Sequence, residues 1–324
     1  MLELPPALQT AISAALGSIP HVRWEREAQA LSERYRASRV GGEPALTRGR
    51  EQALGYAAII MPATYAQLRG ACAATAARIP AWQPTSLLDL GSGPGTALWA
   101  AQAQWPSIER MVAWERETSL IQLGRELGEH GSSSVQQAHW ERHDLAVGID
   151  EGLQYDIVVL AHVLNELSQA ARERVLLGAW QRAAGILLII EPGTSSAFAI
   201  VRSARDYLLR QGSLTIAPCP HNVPCPIAHD WCHFPQRLQR PEFQRRARGA
   251  PSAWEDAKYS YAAMARFAPA AAIAGRIIRE PEQTKGYIST HICTPDGIQK
   301  LQTLKRDREA FRAARKREWG DVLE

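Results

Sequence analysis

Apolar residues along the chain change period near residue 82, and the change divides the sequence. Before it, Leu8, Ile12 and Leu16, then Leu31 and Tyr35, recur at helical spacing. A Gly-Gly-Glu-Pro break at Gly41 to Pro44 precedes a longer helical pattern from about Arg48 through Tyr56, Ile60, Tyr65, Leu68 and Cys72, with Met61-Pro62 set to kink or restart it. From Ser86 to about Pro192, short apolar runs alternate with amphipathic ones. Strands are predicted at Leu87–Leu90, Arg110–Trp114, Ser134–Glu141, Asp156–Ala161 and Gly185–Ile190, and helices at Ala97–Gln104, Thr118–Gly128 and Gln169–Arg182. Continuous apolar strands between helices predict an α/β fold, a doubly wound Rossmann-like parallel sheet covered on both faces. After a helix over Ser196–Gln211 the rhythm breaks into a Cys/Pro-rich stretch, a basic run and W-E-D-A-K-Y-S-Y. A last strand over Tyr287–Cys293 and a charged helix from Lys305 close the chain. The division expected is an N-terminal helical domain (1–82), a Rossmann-like core (83–195), a Cys/Arg-rich insertion (196–285), and the final strand of the core with a basic helix (286–324).

Composition adds little except by exclusion. The 324 residues are 46% hydrophobic and 22% charged, enough for a sizeable core, and the net charge is only +4. No apolar run reaches the ~18 residues of a membrane span. The first twenty residues hold no Lys or Arg and one acid, Glu3. That argues against a secretory signal or transit peptide and for a prokaryotic cytoplasmic protein, expected to be a monomer when free.

The chemistry begins at Ser86–Thr96, S-L-L-D-L-G-S-G-P-G-T. A strand stops at Gly91, glycines recur at Gly93 and Gly95, and a helix starts near Thr96. The glycines permit backbone angles and close approaches that a Cβ forbids, and the helix N-terminus suits an anionic group. Glu115, at the end of the second strand, is placed to accept hydrogen bonds from two ribose hydroxyls. The turn, with Pro94 in its middle, resembles that of class I S-adenosylmethionine-dependent methyltransferases. That resemblance implies that Asp89, Gly91, Ser92, Gly93 and Gly95 approach the methionine part and that Glu115 holds the ribose. It places Asp144 near the adenine amino group, and His162 and Asn165 in the methyl-donor pocket. The alternative is an α/β glycine turn that uses another nucleotide or none. No catalytic residue is evident: L-A-H-V-L-N-E-L replaces the N/D-P-P-Y/F of amino methyltransferases, and no cysteine nucleophile ends the fourth or fifth strand.

Cys219, Cys225 and Cys232 are spaced C-x5-C-x6-C, with Cys293 a further 61 residues on. Thiolates suit iron and zinc. The spacing is wider than a zinc knuckle, and two of the cysteines precede proline as at ferredoxin clusters. An iron–sulfur cubane is favoured. A zinc site, with His221, His229 or His233 replacing a cysteine, stays open, as do plain buried thiols. Just downstream, Arg237, Arg240, Arg245, Arg246 and Arg248 fall within twelve residues opposed only by Glu242, with Trp231, His233 and Phe234 before them. This reads as an RNA-facing loop. The basic tail is diluted by six acids between Asp296 and Glu324 and is more simply a solvated helix face.

Over nearly its whole length the chain resembles the methyltransferase-like small-ribosomal-subunit assembly proteins of mitochondria and bacteria. The resemblance rests on A-L-G-Y-A-A-I-I-M-P-A-T-Y, L-L-D-L-G-S-G-P-G-T, H-V-L-N-E-L, I-I-E-P-G-T, P-C-P-H…P-C-P…D-W-C-H-F-P-Q-R, W-E-D-A-K-Y-S-Y and K-R-D…A-R-K-R-E-W-G-D. It implies a class I methyltransferase fold, S-adenosylmethionine, a [4Fe–4S] cluster on Cys219, Cys225, Cys232 and Cys293, and binding to the small subunit and its rRNA. Two functions follow, a non-catalytic assembly or translation factor and an active rRNA methyltransferase. A small-molecule methyltransferase would leave the cysteines and arginines without a role.

Overall fold

The computed structural model describes residues 1–38, 49–250 and 252–324, without the side chains of 32 and 34–38. The expected break at Gly41 to Pro44 and the side chain of Tyr35 lie outside the described residues. Four helices open the chain: α1 (Pro6–Gly17), α2 (His21–Ser38), α3 (Gly49–Ile59) and α4 (Met61–Ala76). Pro62 sits in the first turn of α4, where its missing N–H has no helical partner to lose, so the helix restarts there.

Then follow β1 (Ser86–Leu90), α5 (Thr96–Gln104), β2 (Arg110–Glu115), α6 (Thr118–Gly128), a single turn α7 (Ser133–Gln136), β3 (His139–Arg142), β4 (Tyr155–Ala161), α8 (Gln169–Arg182), β5 (Ala183–Pro192) and α9 (Ser195–Arg210). The expected strand from Ser134 is therefore shorter and later, because residues 133–136 close a helical turn. Beyond these come β6 (Leu214–Ala217), β7 (Phe234–Gln239), α10 (Glu242–Arg248) and β8 (Trp254–Ala265). One eight-stranded sheet runs β3-β2-β1-β4-β5-β8-β6, with β7 also paired to β8. The first five strands are parallel, while β8 pairs antiparallel with β5, β6 and β7. This is a Rossmann-like class I methyltransferase topology, and strand order reverses between β1 and β4.

Alternation along each strand builds two cores. Leu87, Ile157, Val159, Leu188 and Ile190 face α1, α3, α4, α5 and α6 in one cluster. Leu88, Leu90, Val158, Leu160, Leu187 and Ile189 face α8 and α9 in another. Both faces are thus dry, as near-continuous apolar strands require.

Tyr287–Cys293 does form a strand, but not one of the core. β9 (Gly275–Ile277), β10 (Glu282–Gln283), β11 (Tyr287–Thr294), β12 (Gly297–Leu304) and β13 (Val322–Leu323) make a second, five-stranded sheet, with the short α11 (Arg308–Ala314) before β13. The place expected for it in the core is taken by β8, whose first two thirds are W-E-D-A-K-Y-S-Y. Its Tyr259 and Tyr261 pack with Phe234 under the sheet, and that burial outweighs its polar start. No helix among the described residues is long and apolar enough to cross a membrane.

Candidate functional site

At the carboxyl ends of β1, β2, β4 and β5, beside the switch point, lies a cleft of about 650 Å³. Of the residues expected at a nucleoside site, Gly91, Gly93, Glu115, Asp144, His162 and Asn165 line it. Asp89, Ser92 and Gly95 are buried behind its floor.

The turn needs its glycines. Gly91, Gly93 and Gly95 have φ of 76°, 55° and 79°, in the left-handed region that costs other residues energy. A Cβ on Gly91 would also stand 2.6 Å from Val163 Cγ2. The Glu115 carboxylate closes the turn onto β2 by accepting the N–H groups of Gly93 (2.8 Å) and Glu117 (2.9 Å). Burial raises its pKa and those bonds act against the rise. Asp89 is 1% exposed, and its Oδ2 has no hydrogen-bond partner among the described residues. Burial, with Glu115 adding to it, pushes this carboxyl up to about 8. An orphaned buried carboxyl beside a second acid is a place for a cationic group.

Asp144 accepts the N–H of Ala146 at 2.9 Å and caps the turn Leu145–Val147, so its position is fixed by local structure. His143, which sequence reasoning passed over, stacks on Trp114 at 4.3 Å and lines the same wall. His162 is the one non-glycine residue among those described with positive φ, 61°. Strain of this kind persists only where surroundings hold it. Its Nε2 lies 2.7 Å from Gln67 Oε1, while Gln67 Nε2 donates to the carbonyl of Lys258 at 2.9 Å. That second bond fixes the amide orientation, so His162 Nε2 is the donor. Gln67 is 95 residues away and no local signal could reveal it. Glu191 was legible in I-I-E-P-G-T without a role. Fully buried, it accepts the Leu164 N–H at 2.8 Å and so holds the loop carrying Asn165, and burial pushes it up to about 8.

Cys219, Cys225, Cys232 and Cys293 are all free thiols. Cys225, Cys232 and Cys293 share one small apolar cluster with Ile227 and Trp231. Burial raises Cys219, Cys232 and Cys293, the last to about 12, and the other cysteines of the set raise each of them further. The four sulfurs are therefore within electrostatic reach of one another. His221 Nε2 is 3.6 Å from Cys293 Sγ, whereas among the described residues neither His229 nor His233 makes a hydrogen bond to a cysteine. Among the described residues, no three His, Cys, Asp or Glu side chains are close enough to share a single metal ion.

The arginines do not form a loop. Arg237 lies in β7 and makes a two-point pair with Asp256 (2.8 and 2.9 Å) over the Trp254 ring. Arg240 is largely buried against Glu255 (3.1 Å), and Arg248 donates to the carbonyl of Ile59 (3.1 Å). Arg245 and Arg246 project from α10; both are exposed, with Arg246 reaching Glu25 at 3.3 Å. Alternating exposure on a strand and a short helix, invisible in a run of arginines, divides the five.

The profile of the family described as "Mitochondrial small ribosomal subunit Rsm22" matches residues 50–324. The chain belongs to the Rsm22 family. It is 30% identical over 270 residues to the human mitochondrial ribosome assembly protein METTL17, covering 76% of this chain and 57% of that one. To Rsm22-cox11 tandem protein 2, mitochondrial, of Schizosaccharomyces pombe it is 24% identical over 288 residues, 73% of this chain and 38% of that one. The chain thus spans little more than half, or less, of these relatives. Among solved structures it is similar to the magnesium protoporphyrin IX methyltransferase of Synechocystis with bound SAM, at 12% identity, TM-score 0.42, covering 72% of this chain and 90% of that one. The expectation of a prokaryotic cytoplasmic protein is overturned. The Rsm22 family is described as mitochondrial, and so are both curated relatives, although the first twenty residues lack the arginines of a transit peptide.

Proposed function

We propose that this member of the Rsm22 family is a small-ribosomal-subunit assembly factor that binds rRNA, S-adenosylmethionine and a [4Fe–4S] cluster. The observation that carries the reading is that one family match runs through the glycine turn, the four cysteines and α10 together. In this reading the division into a helical N-terminal unit, a Rossmann-like core, a Cys/Arg-rich segment and a closing basic unit is also a division of labour.

The cleft fits the methyl donor by its own chemistry. Gly91 and Gly93 offer backbone where side chains would intrude, the Glu115 carboxylate would take the ribose hydroxyls and Asp144 the adenine edge, and the unpartnered oxygen of buried Asp89 favours a cationic methionine head nearby. His162 and Asn165, on the same cleft wall, would stand at the donor's reactive end. Four soft sulfur donors, none in a disulfide and each of Cys219, Cys232 and Cys293 feeling the other cysteines of the set, are the ligand type an iron–sulfur cluster takes. When bound, such a cluster supplies a redox-active anionic group joining two sheets. Arg245 and Arg246, exposed on α10 with Arg246 held among the described residues only by a single contact to Glu25, are the arginines offered to phosphate, while Arg237 is held at two points by Asp256 and Arg240 and Arg248 hold Glu255 and Ile59.

An active rRNA methyltransferase is the second reading, favoured by one feature. Beyond the donor turn the cleft continues past Tyr56, Gln67, His162 and Lys258, which leaves room for an acceptor. Labelled methyl transfer to small subunits from a strain lacking the protein separates the two. Donor binding without incorporation supports the assembly factor, and stoichiometric incorporation into rRNA establishes the enzyme. Failure of the protein to co-sediment with small subunits would overturn both.

A further inference from the structure

Two arginines behind the cysteines are out of keeping with their surroundings. Arg205, on α9, is 3% exposed, and Arg276, on β9, is 4% exposed. A buried guanidinium is normally matched by a carboxylate, since an uncompensated charge in a dry site is costly. Arg276 has no ion pair with a carboxylate among the described residues. Its Nε donates to the carbonyl of Pro218 and its Nη1 to that of Gly320 (2.7 Å). Arg205 pairs with Asp206 through Nη1 (2.9 Å), and that carboxylate points out toward solvent. Its Nη2 donates inward to the carbonyls of His221 (2.8 Å) and Val223 (2.9 Å), and its buried Nε has no acceptor.

Both are wrapped around the cysteines. Apart from that of Gly320, the carbonyls that Arg276 and Arg205 hold belong to the residue just before Cys219 and to two between Cys219 and Cys225. Arg276 also stands directly opposite Cys293 in the β9–β11 pairing.

We propose that Arg205 and Arg276 are the built-in counter-charges of an anionic cluster on the four cysteines, and that they raise its reduction potential. The inference rests on the cluster reading above. A cubane on four thiolates is anionic and becomes more so when it takes up an electron, and net charge around a cluster is one of the levers on its potential. Two fixed cations in a dry shell therefore favour the reduced state, besides bracing the loop that carries Cys219 and Cys225.

The full-length protein, reconstituted anaerobically with iron and sulfide, tests this through iron content and a reductive titration followed by EPR. Arg205→Gln and Arg276→Gln should each shift the reduction equilibrium about tenfold toward the oxidised form, 59 mV for a one-electron couple. Arg276→Lys, which keeps the charge and loses the fork, should hold the wild-type potential. Unchanged potentials in both Gln variants at full iron content overturn the proposal. If a Gln variant takes up no iron, loading decides: Lys loading where Gln does not supports a charge role, and equal failure of both overturns it in favour of bracing alone. Wild-type protein that binds no iron refutes the cluster reading itself, and the iron measurement alone reveals that.

Discussion

Asp89 gives the sharpest test of how the cleft is built. Its carboxyl is pushed up to about 8, from an ordinary value of 3.8, first by burial and then by Glu115. The folded protein therefore holds a proton there that the unfolded chain releases. Stability from this group is fully present below about pH 4, falls as pH rises toward 8, and changes little beyond. At ~1.4 kcal/mol per pH unit, the loss by pH 7 is about 4 kcal/mol. Asp89→Asn removes that dependence but leaves a buried amide short of partners, which costs about 1–3 kcal/mol. The variant without ligand should thus be more stable than wild type at pH 7 by about 1–3 kcal/mol, and nearly equal or less stable at pH 5. Urea unfolding at the two pH values measures this. S-adenosylmethionine should reverse the order, because its cationic head pairs with the ionised carboxylate, so wild-type affinity should climb between pH 6 and 8 while that of Asp89→Asn stays flat and weak. A variant less stable than wild type at both pH values, with an unchanged pH slope, would refute the reasoning.

Other outcomes follow from the same geometry. Gly91→Ala meets both a φ of 76° and a contact of 2.6 Å, and should cost about 2 kcal/mol or more and abolish donor binding in calorimetry. Arg245→Ala with Arg246→Ala should weaken RNA binding and flatten its salt dependence with little change in Tm, whereas Arg240→Ala should lower Tm because it strands Glu255. Anaerobically purified protein should hold about four irons and absorb broadly near ~400 nm; stoichiometric zinc without iron would refute that choice. Cys225→Ser should lose the metal and loosen the second sheet, seen as faster amide exchange in β11.

Much of the sheet could be read from the chain because its signals are local. Leu87–Leu90, Asp156–Ala161 and Gly185–Ile190 are apolar runs bounded by turn residues, and the glycine turn declares itself by composition. What could not be read was set by partners distant in sequence. β8 looks polar at Trp254–Lys258 because that half pairs with β7, and it becomes a core strand only where β5 and β6 flank it. Ser134 fell to a helical turn closed by a few local bonds. The five arginines read as one patch because sequence shows charge and not direction; Asp256 and Glu255 claim two of them. His162 was legible as a residue of the pocket wall, but Gln67, which orients it, comes from an N-terminal helix.

The order of the cysteines along the chain has a consequence for synthesis. Three of them lie within residues 219–232, while the fourth stands on β11, in a sheet whose closing strand is Val322–Leu323. During translation the first three thiols emerge early and must wait, unpaired, until 61 more residues have been made. In the cluster reading proposed above, a nascent chain stalled before Cys293 would present an incomplete ligand set to whatever delivers metal. On that reading the ligand set is completed late, only after β11 has been made.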